Sequence, residues 1–200
     1  MVRIGLTGGI GSGKTALARL LSERQVPCLD LDAVGRALHS NADCMVALID
    51  AFGKGIIDAT GAIDRQALAA LCFADAGKTK ILNRIMHPRI WAQAEAWCTK
   101  QDAPYVLIEA SVLIESGAVS RMHAVVVVLA DESIRRQRVL ASRHMDGMQF
   151  DAIVRRQCTD AARRQVADFI VENNADLPAL RCQADVLHQQ ILAFAASRTA

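Results

Sequence analysis

No apolar run in this 200-residue chain approaches the roughly 20 residues that a helix needs to cross a bilayer, and even Ala124 to Ala130 stops far short. The first residues lack the basic-then-apolar segment of an export signal, so a cytoplasmic location is expected, with no membrane partner. The six cysteines (28, 44, 72, 98, 158, 182) include no C-x-x-C pair and no zinc-like spacing, which leaves buried, reduced thiols as the expectation. Charge of one sign is scarce as well. The 23 Lys and Arg face 21 Asp and Glu, and a net charge of +2 is too small to mark a general nucleic-acid binder. There is no low-complexity segment, no internal repeat and no N-K-x-D sequence of the kind that reads guanine. Hydrophobic residues at 52% and charged residues at 22% point instead to an ordinary globule. The length suits one domain with room for a helical insertion or a mobile lid.

Gly8 to Thr15 reads GGIGSGKT, between a strand-like start (Val2, Ile4, Leu6) and a helical pattern (Leu17, Leu20, Leu21). This is a Walker A phosphate loop. Gly8, four free positions, Gly13, Lys14 and a hydroxyl at Thr15 let backbone N–H groups curl around a phosphate with no side chain in the way. Gly9 and Gly11 loosen the curl, and Ser12 and Ala16 belong to the same nucleotide-binding set. Lys14 is placed to reach the β- and γ-phosphates of ATP and Thr15 to ligate Mg²⁺, with the next helix pointing its positive end at the anion.

Further along, Val26 to Asp30 reads as a second strand whose period-two alternation extends to Asp32, putting both carboxylates on one side. Ligands of open α/β sheets sit beyond the carboxyl ends of the strands, which would bring Asp30 and Asp32 beside the loop. Asp32 can equally cap a helix at residues 33–38. From Asn41 to Lys100 the pattern is mostly helical, broken at residues 52–55 and 59–61, with Asp64 as a helix cap. His87-Pro88 should interrupt a helix there, since proline disfavours helical geometry in the residue before it. On spacing alone His87 is either that junction or a ligand.

Tyr105 to Glu109, Ala124 to Leu129 and Phe169 to Glu172 read as further strands. The unbroken β-branched run at 125–128, within the strand at 124–129, is what a parallel strand buried on both faces requires. Glu109 either holds a metal-bound water or is a solvent-facing strand end. Nine arginines crowd residues 121–164 against five acids, and a break at residues 142–148 between helices suits a hinged lid. The last helix puts Ala184, Leu187, Ile191 and Phe194 on one core-facing side. Five strands separated by helices and opened by a phosphate loop give a three-layer α/β fold with a mainly parallel sheet.

These residues resemble one family, the dephospho-coenzyme A kinases. The likeness is carried by LTGGIGSGKT at the start, DLDAVGR around Asp32 and Arg36, FGKGIIDATGAIDRQAL, LNRIMHPRI around His87, VLIEASVLIESG, and ADFIVENN ending at Asn173 and Asn174. It implies a P-loop kinase fold that moves the γ-phosphoryl group of ATP to the ribose 3′-hydroxyl of dephospho-coenzyme A. By position, Asp32 matches the acidic residue at the attacking hydroxyl, while Arg36 and His87 fall in the region that receives the acceptor. Arg138 and Arg143 match the lid arginines and Asn173 the loop near adenine. The implied layout is a core at about 1–38, 103–141 and 165–200, a helical acceptor-binding insertion at about 40–101 and a lid at about 139–160. Two departures stand out: Ser111-Val112-Leu113 replaces proline-leucine-leucine, and Ser142 stands four residues after Arg138 where an arginine is usual. The rival readings are another small-molecule kinase, of nucleoside monophosphate or shikimate type, and a nucleotide-dependent switch that binds a partner protein.

Overall fold

The computed structural model describes residues 1–142 and 145–198. Its strands are β1 (Val2–Gly8), β2 (Cys28–Asp30), β3 (Tyr105–Glu109), β4 (Ala124–Leu129) and β5 (Phe169–Glu172). The helices are α1 (Lys14–Ser22), α2 (Leu31–Leu38), α3 (Ala42–Phe52), α4 (Arg65–Ala74), α5 (Ala76–Cys98), α6 (Glu132–Ser142), α7 (Gly147–Val154), α8 (Asp160–Val166) and α9 (Leu177–Ser197). The chain forms two compact units, one of residues 1–30 with 101–200 and one of residues 31–100.

The first unit carries a five-stranded sheet in the order β2-β3-β1-β4-β5, with every neighbouring pair parallel. β4 is buried along its whole length, as its valine run requires. On one face of the sheet Ile4, Leu6, Leu107, Val126 and Val128 pack with Leu17 and Leu21 of α1 and with Leu180, Leu187 and Ile191 of α9. On the other face Leu113 and Met122 lie over Gly5, and α8 packs against β4. The result is a three-layer α/β fold. The strand readings hold for β3, β4 and β5, whereas β2 is shorter than expected. Pro27 has no N–H to give, and it joins the ladder only by accepting from Leu107 N at 2.9 Å.

The second unit is helical, and its only paired extended residues among those described are Ile57 and Ile63. Leu38, Cys44, Leu48, Ile56, Leu68 and Met86 form its core. Asp64 caps α4 as expected, accepting from Gln66 N and Ala67 N at 2.9 and 3.0 Å. The expectation at His87-Pro88 is overturned: α5 runs unbroken through both residues. An interior proline costs about 3 kcal/mol. Burial of Met86 before it and of Trp91 and Ala94 after it offsets that, at about 1.5–3 kcal/mol for each large side chain. Arg89 also donates to the Ile85 carbonyl at 2.8 Å, within the disturbed turn.

None of the six cysteines forms a disulfide, and only Cys44, Cys72 and Cys98 are buried. Cys182 is exposed on α9, contrary to the expectation of buried thiols, because it falls outside the helix face that carries Leu180, Ala184 and Leu187.

Candidate active site

β1 delivers Gly8 into the loop and α1 leaves it at Lys14, so the loop is held at both ends by regular structure. Ser12 N donates to Gly9 O and Leu17 N to Gly13 O, both at 3.0 Å, which closes the curl. Gly13 has φ +96°, and a Cβ there would stand 2.2 Å from Asn173 Nδ2, so no other residue fits. The loop frames a cavity of about 190 Å³ lined by Gly9, Gly11, Ser12, Gly13, Lys14, Thr15 and Ala16 together with Arg138, Val139 and Ser142. Beside it, sharing Gly13, Ala16 and Arg138, lies a cavity of about 380 Å³ bordered by Asn173, Ala175, Asp176, Leu177 and Leu180.

Arg138 is held in place between the two cavities by donating to the carbonyls of Asn173 and Ala175, at 2.9 and 3.1 Å. Asn173 turns its side chain inward. It is 5% exposed and donates through Nδ2 to Ser12 O at 2.7 Å, bracing the loop, and the residue also borders the larger cavity. Arg143 lies outside the described residues.

Glu109, left open between two readings, is 9% exposed and accepts from the Thr15 hydroxyl at 2.8 Å. It stands in register with Asp30 on β2 and Leu6 on β1, so two carboxylates end adjacent strands on the loop side of the sheet. The nine arginines separate in a way their spacing did not signal. Arg135 and Arg163 are 5% and 3% exposed, and the Nη1 atom of each lies against Gly9. Asp160 pairs with Arg163 at 2.5 Å and with Arg135 at 3.8 Å, and Arg135 Nε donates to Ala130 O at 3.0 Å. Gln157, which no pattern marked, accepts from Ile10 N at 2.9 Å. Burial raises the thiol pKa of Cys158 beside it, which favours the neutral thiol.

In the helical unit Asp32 does not continue the alternation of β2. It lies in the first turn of α2, because the chain turns helical at Leu31, one residue after the strand ends. A carboxylate there complements the partial positive charge of the helix start. Arg36 is exposed one turn later on the same helix, and His87 is half-buried on α5, which packs against α2.

The residues present fit a polyphosphate. The Ser12 hydroxyl is buried without a partner inside a glycine-rich curl at a helix start, next to Lys14 and Arg138. They also fit a magnesium ion held mainly by phosphate and water. Thr15 and Glu109 supply hard oxygens, and no cluster of three or more His, Cys, Asp or Glu forms a protein-only cage among the described residues.

Comparison with known proteins agrees with that chemistry. The family CoaE, dephospho-CoA kinase, matches residues 2–179. A dephospho-CoA kinase of Corynebacterium efficiens is 38% identical over 203 residues, covering 96% of this chain and 98% of the relative. The chain belongs to the dephospho-CoA kinase family. The solved structure of TT1252 from Thermus thermophilus superposes with TM-score 0.85 at 32% identity, covering 94% of this chain and 97% of that one. The dephospho-CoA kinase from Campylobacter jejuni has the same fold, with TM-score 0.69 at 21% identity over 96% and 97% of the two chains. The fold of this family member is thus that of a P-loop kinase.

Proposed function

We propose that this chain carries out the reaction of its family, the ATP-dependent phosphorylation of dephospho-coenzyme A in the last step of coenzyme A biosynthesis, with a division of labour between its residues. The observation that carries the proposal is the cavity in which the loop glycines, Lys14, Thr15 and Arg138 converge beside the partnerless Ser12 hydroxyl. Loop amides and Lys14 take the charge of the β- and γ-phosphates, and the fork of Arg138 stays cationic at any working pH. The larger cavity, between Arg138 and residues 173–177, suits a nucleoside. Thr15 and Glu109 would hold Mg²⁺, whose charge would stabilise the leaving oxygen.

The acceptor oxygen forms a bond to the γ-phosphorus as the bond to the β–γ bridging oxygen breaks, and the acceptor proton passes to the carboxylate of Asp32. Asp32, Arg36 and His87 are assigned to the ribose 3′-hydroxyl side by their match to the family pattern. Arg143, with the segment at about 139–160 as a lid, rests on the same match. Positioning and charge neutralisation do most of the work in phosphoryl transfer, so a weak base suffices. The near-balanced charge fits a small-molecule acceptor in a cytoplasmic enzyme rather than a nucleic acid or a membrane surface, and no helix among the described residues is long and apolar enough to cross a membrane.

The test is ADP release with dephospho-coenzyme A, AMP, adenosine, shikimate or pantothenate as acceptor, and with none. Release that depends strongly on dephospho-coenzyme A is expected. Equal or better use of AMP, or equal release without an acceptor, would overturn the proposal in favour of another kinase or a switch.

A further inference from the structure

Ile10 is the one large apolar side chain in the phosphate loop, and it is held twice by the same distant segment. Its side chain, 7% exposed, packs with Val139 and Phe150, themselves fully buried. Its backbone N–H donates to Gln157 Oε1 at 2.9 Å, across 147 residues of sequence. The Gln157 end is itself anchored, because the next backbone N–H, of Cys158, donates to Glu115 Oε1 at 2.8 Å in the turn after β3. At the neighbouring loop position, Arg163 lies against Gly9 and is fixed by Asp160.

A phosphate loop works by aiming several amides at one point, and an amide aimed elsewhere must find another partner. Gln157 is that partner for Ile10. Its carbonyl withdraws one N–H from the phosphate-facing set and so selects one orientation for the peptide between Gly9 and Ile10. Without the acceptor this peptide would gain by rotating toward another partner, and the amides that follow it would lose their common aim. The apolar seat of Ile10 opposes the same rotation from the side-chain end.

We infer that Gln157 and Ile10 form a latch that positions the phosphate loop and ties it to α7 and the turn that follows it. Both are positioning residues, since the latch acts on the loop backbone. The inference rests on the loop being the ATP site. A movement of this segment that lifts Phe150 from Ile10 also strains the Gln157 bond, which links nucleotide affinity to the placement of the segment.

The experiment compares Gln157→Met, which keeps the volume and removes the acceptor, with Gln157→Glu, which keeps the acceptor. The added charge of Gln157→Glu falls in a cavity shared with Arg135 and Arg163. ADP affinity, KM for each substrate and melting temperature are measured on the full chain. Gln157→Met should weaken ADP binding and raise KM for ATP roughly three- to tenfold, the usual worth of one hydrogen bond, with KM for dephospho-coenzyme A unchanged. Gln157→Glu should restore most of the loss. Adding Ile10→Ala to Gln157→Met should cost less than the product of the single effects, because both release one loop residue. Parental ADP affinity in Gln157→Met, with or without a lowered melting temperature, would overturn the latch, as would a Gln157→Glu protein as impaired as Gln157→Met. Parental turnover in Lys14→Ala would instead overturn the assignment of the loop on which the latch rests.

Discussion

The two units of this kinase bury different things. All six buried polar or charged side chains among the described residues, Thr7, Ser12, Glu109, Arg135, Arg163 and Asn173, belong to the sheet-bearing unit, and most border the phosphate loop. The helical unit buries aliphatic, cysteine, methionine and tryptophan side chains and leaves Asp32, Arg36 and His87 half-buried or exposed. Taking a charge out of water is costly unless its partners are already in place. The proposed nucleotide side has met that cost during folding, so its dipoles should need little rearrangement on binding phosphate. The groups proposed for the acceptor are less buried than these, so a change in one unit should read out differently from a change in the other.

The sharpest way to break this contrast is Lys14→Ala. Loss of a cation from a preset phosphate site should lower acceptor-dependent ADP release by on the order of 10²- to 10³-fold with little change in melting temperature. Near-parental release would mean that the site is not built in advance around Lys14. Asp32→Asn should come next, with turnover about 10²-fold lower and ATP affinity unchanged, since a loose transition state keeps the base near the low end of its range. Stability should fall only by the small worth of a first-turn charge, about 0.3–1 kcal/mol. Normal turnover with that small loss would reduce Asp32 to a helix-start charge.

Arg138 tests how far the nucleotide side depends on fixed geometry. Arg138→Ala should weaken ATP binding by about tenfold, the value of a charge-assisted contact, and Arg138→Lys should recover little. A lysine cannot reproduce the fork that donates to the Asn173 and Ala175 carbonyls. Full recovery in the lysine variant, measured by nucleotide titration, would reduce Arg138 to a point charge.

The smallest effect concerns acid. Burial lowers the pKa of His39 in the helical unit below 6.5, and burial lowers His123 and His188 in the sheet-bearing unit likewise. Histidines with folded pKa values below their unfolded ones stabilise the fold above about pH 6.5, and that contribution fades as pH falls from there toward the folded values. Stability should therefore decline gently on mild acidification. His39→Asn should flatten part of the slope in denaturant titrations at a series of pH values, and an unchanged slope would show that His39 contributes nothing.

How much could be read beforehand differs by element. The phosphate loop was fully legible, because its fixed residues answer a local need: glycine where no side chain fits, lysine and a hydroxyl at the helix start. β4 was legible from its valines and α4 from Asp64, for equally local reasons. Pro88 misled, since its local preference for ending a helix was overridden by burial of Met86, Trp91 and Ala94 around it. Of the two readings open for Asp32, strand alternation fails because β2 ends at Asp30, and the residue sits at the helix start, inside the first turn of α2.

The chain alone thus determined the fold class, the phosphate loop and the family pattern, each read from stretches whose own residues lie within a few positions of one another. Only tertiary structure decided the strand order, the pairing of Glu109 with Thr15, the inward turn of Asn173, the burial of Arg135 and Arg163, and the hold of Gln157 on Ile10. Arg135, Arg138 and Arg163 carry identical side chains, the first two on α6 and the third on α8. What sets two of them under the loop and one between its cavities is where α6 and α8 pack, and that depends on contacts between segments up to about 150 residues apart, which no local spacing records.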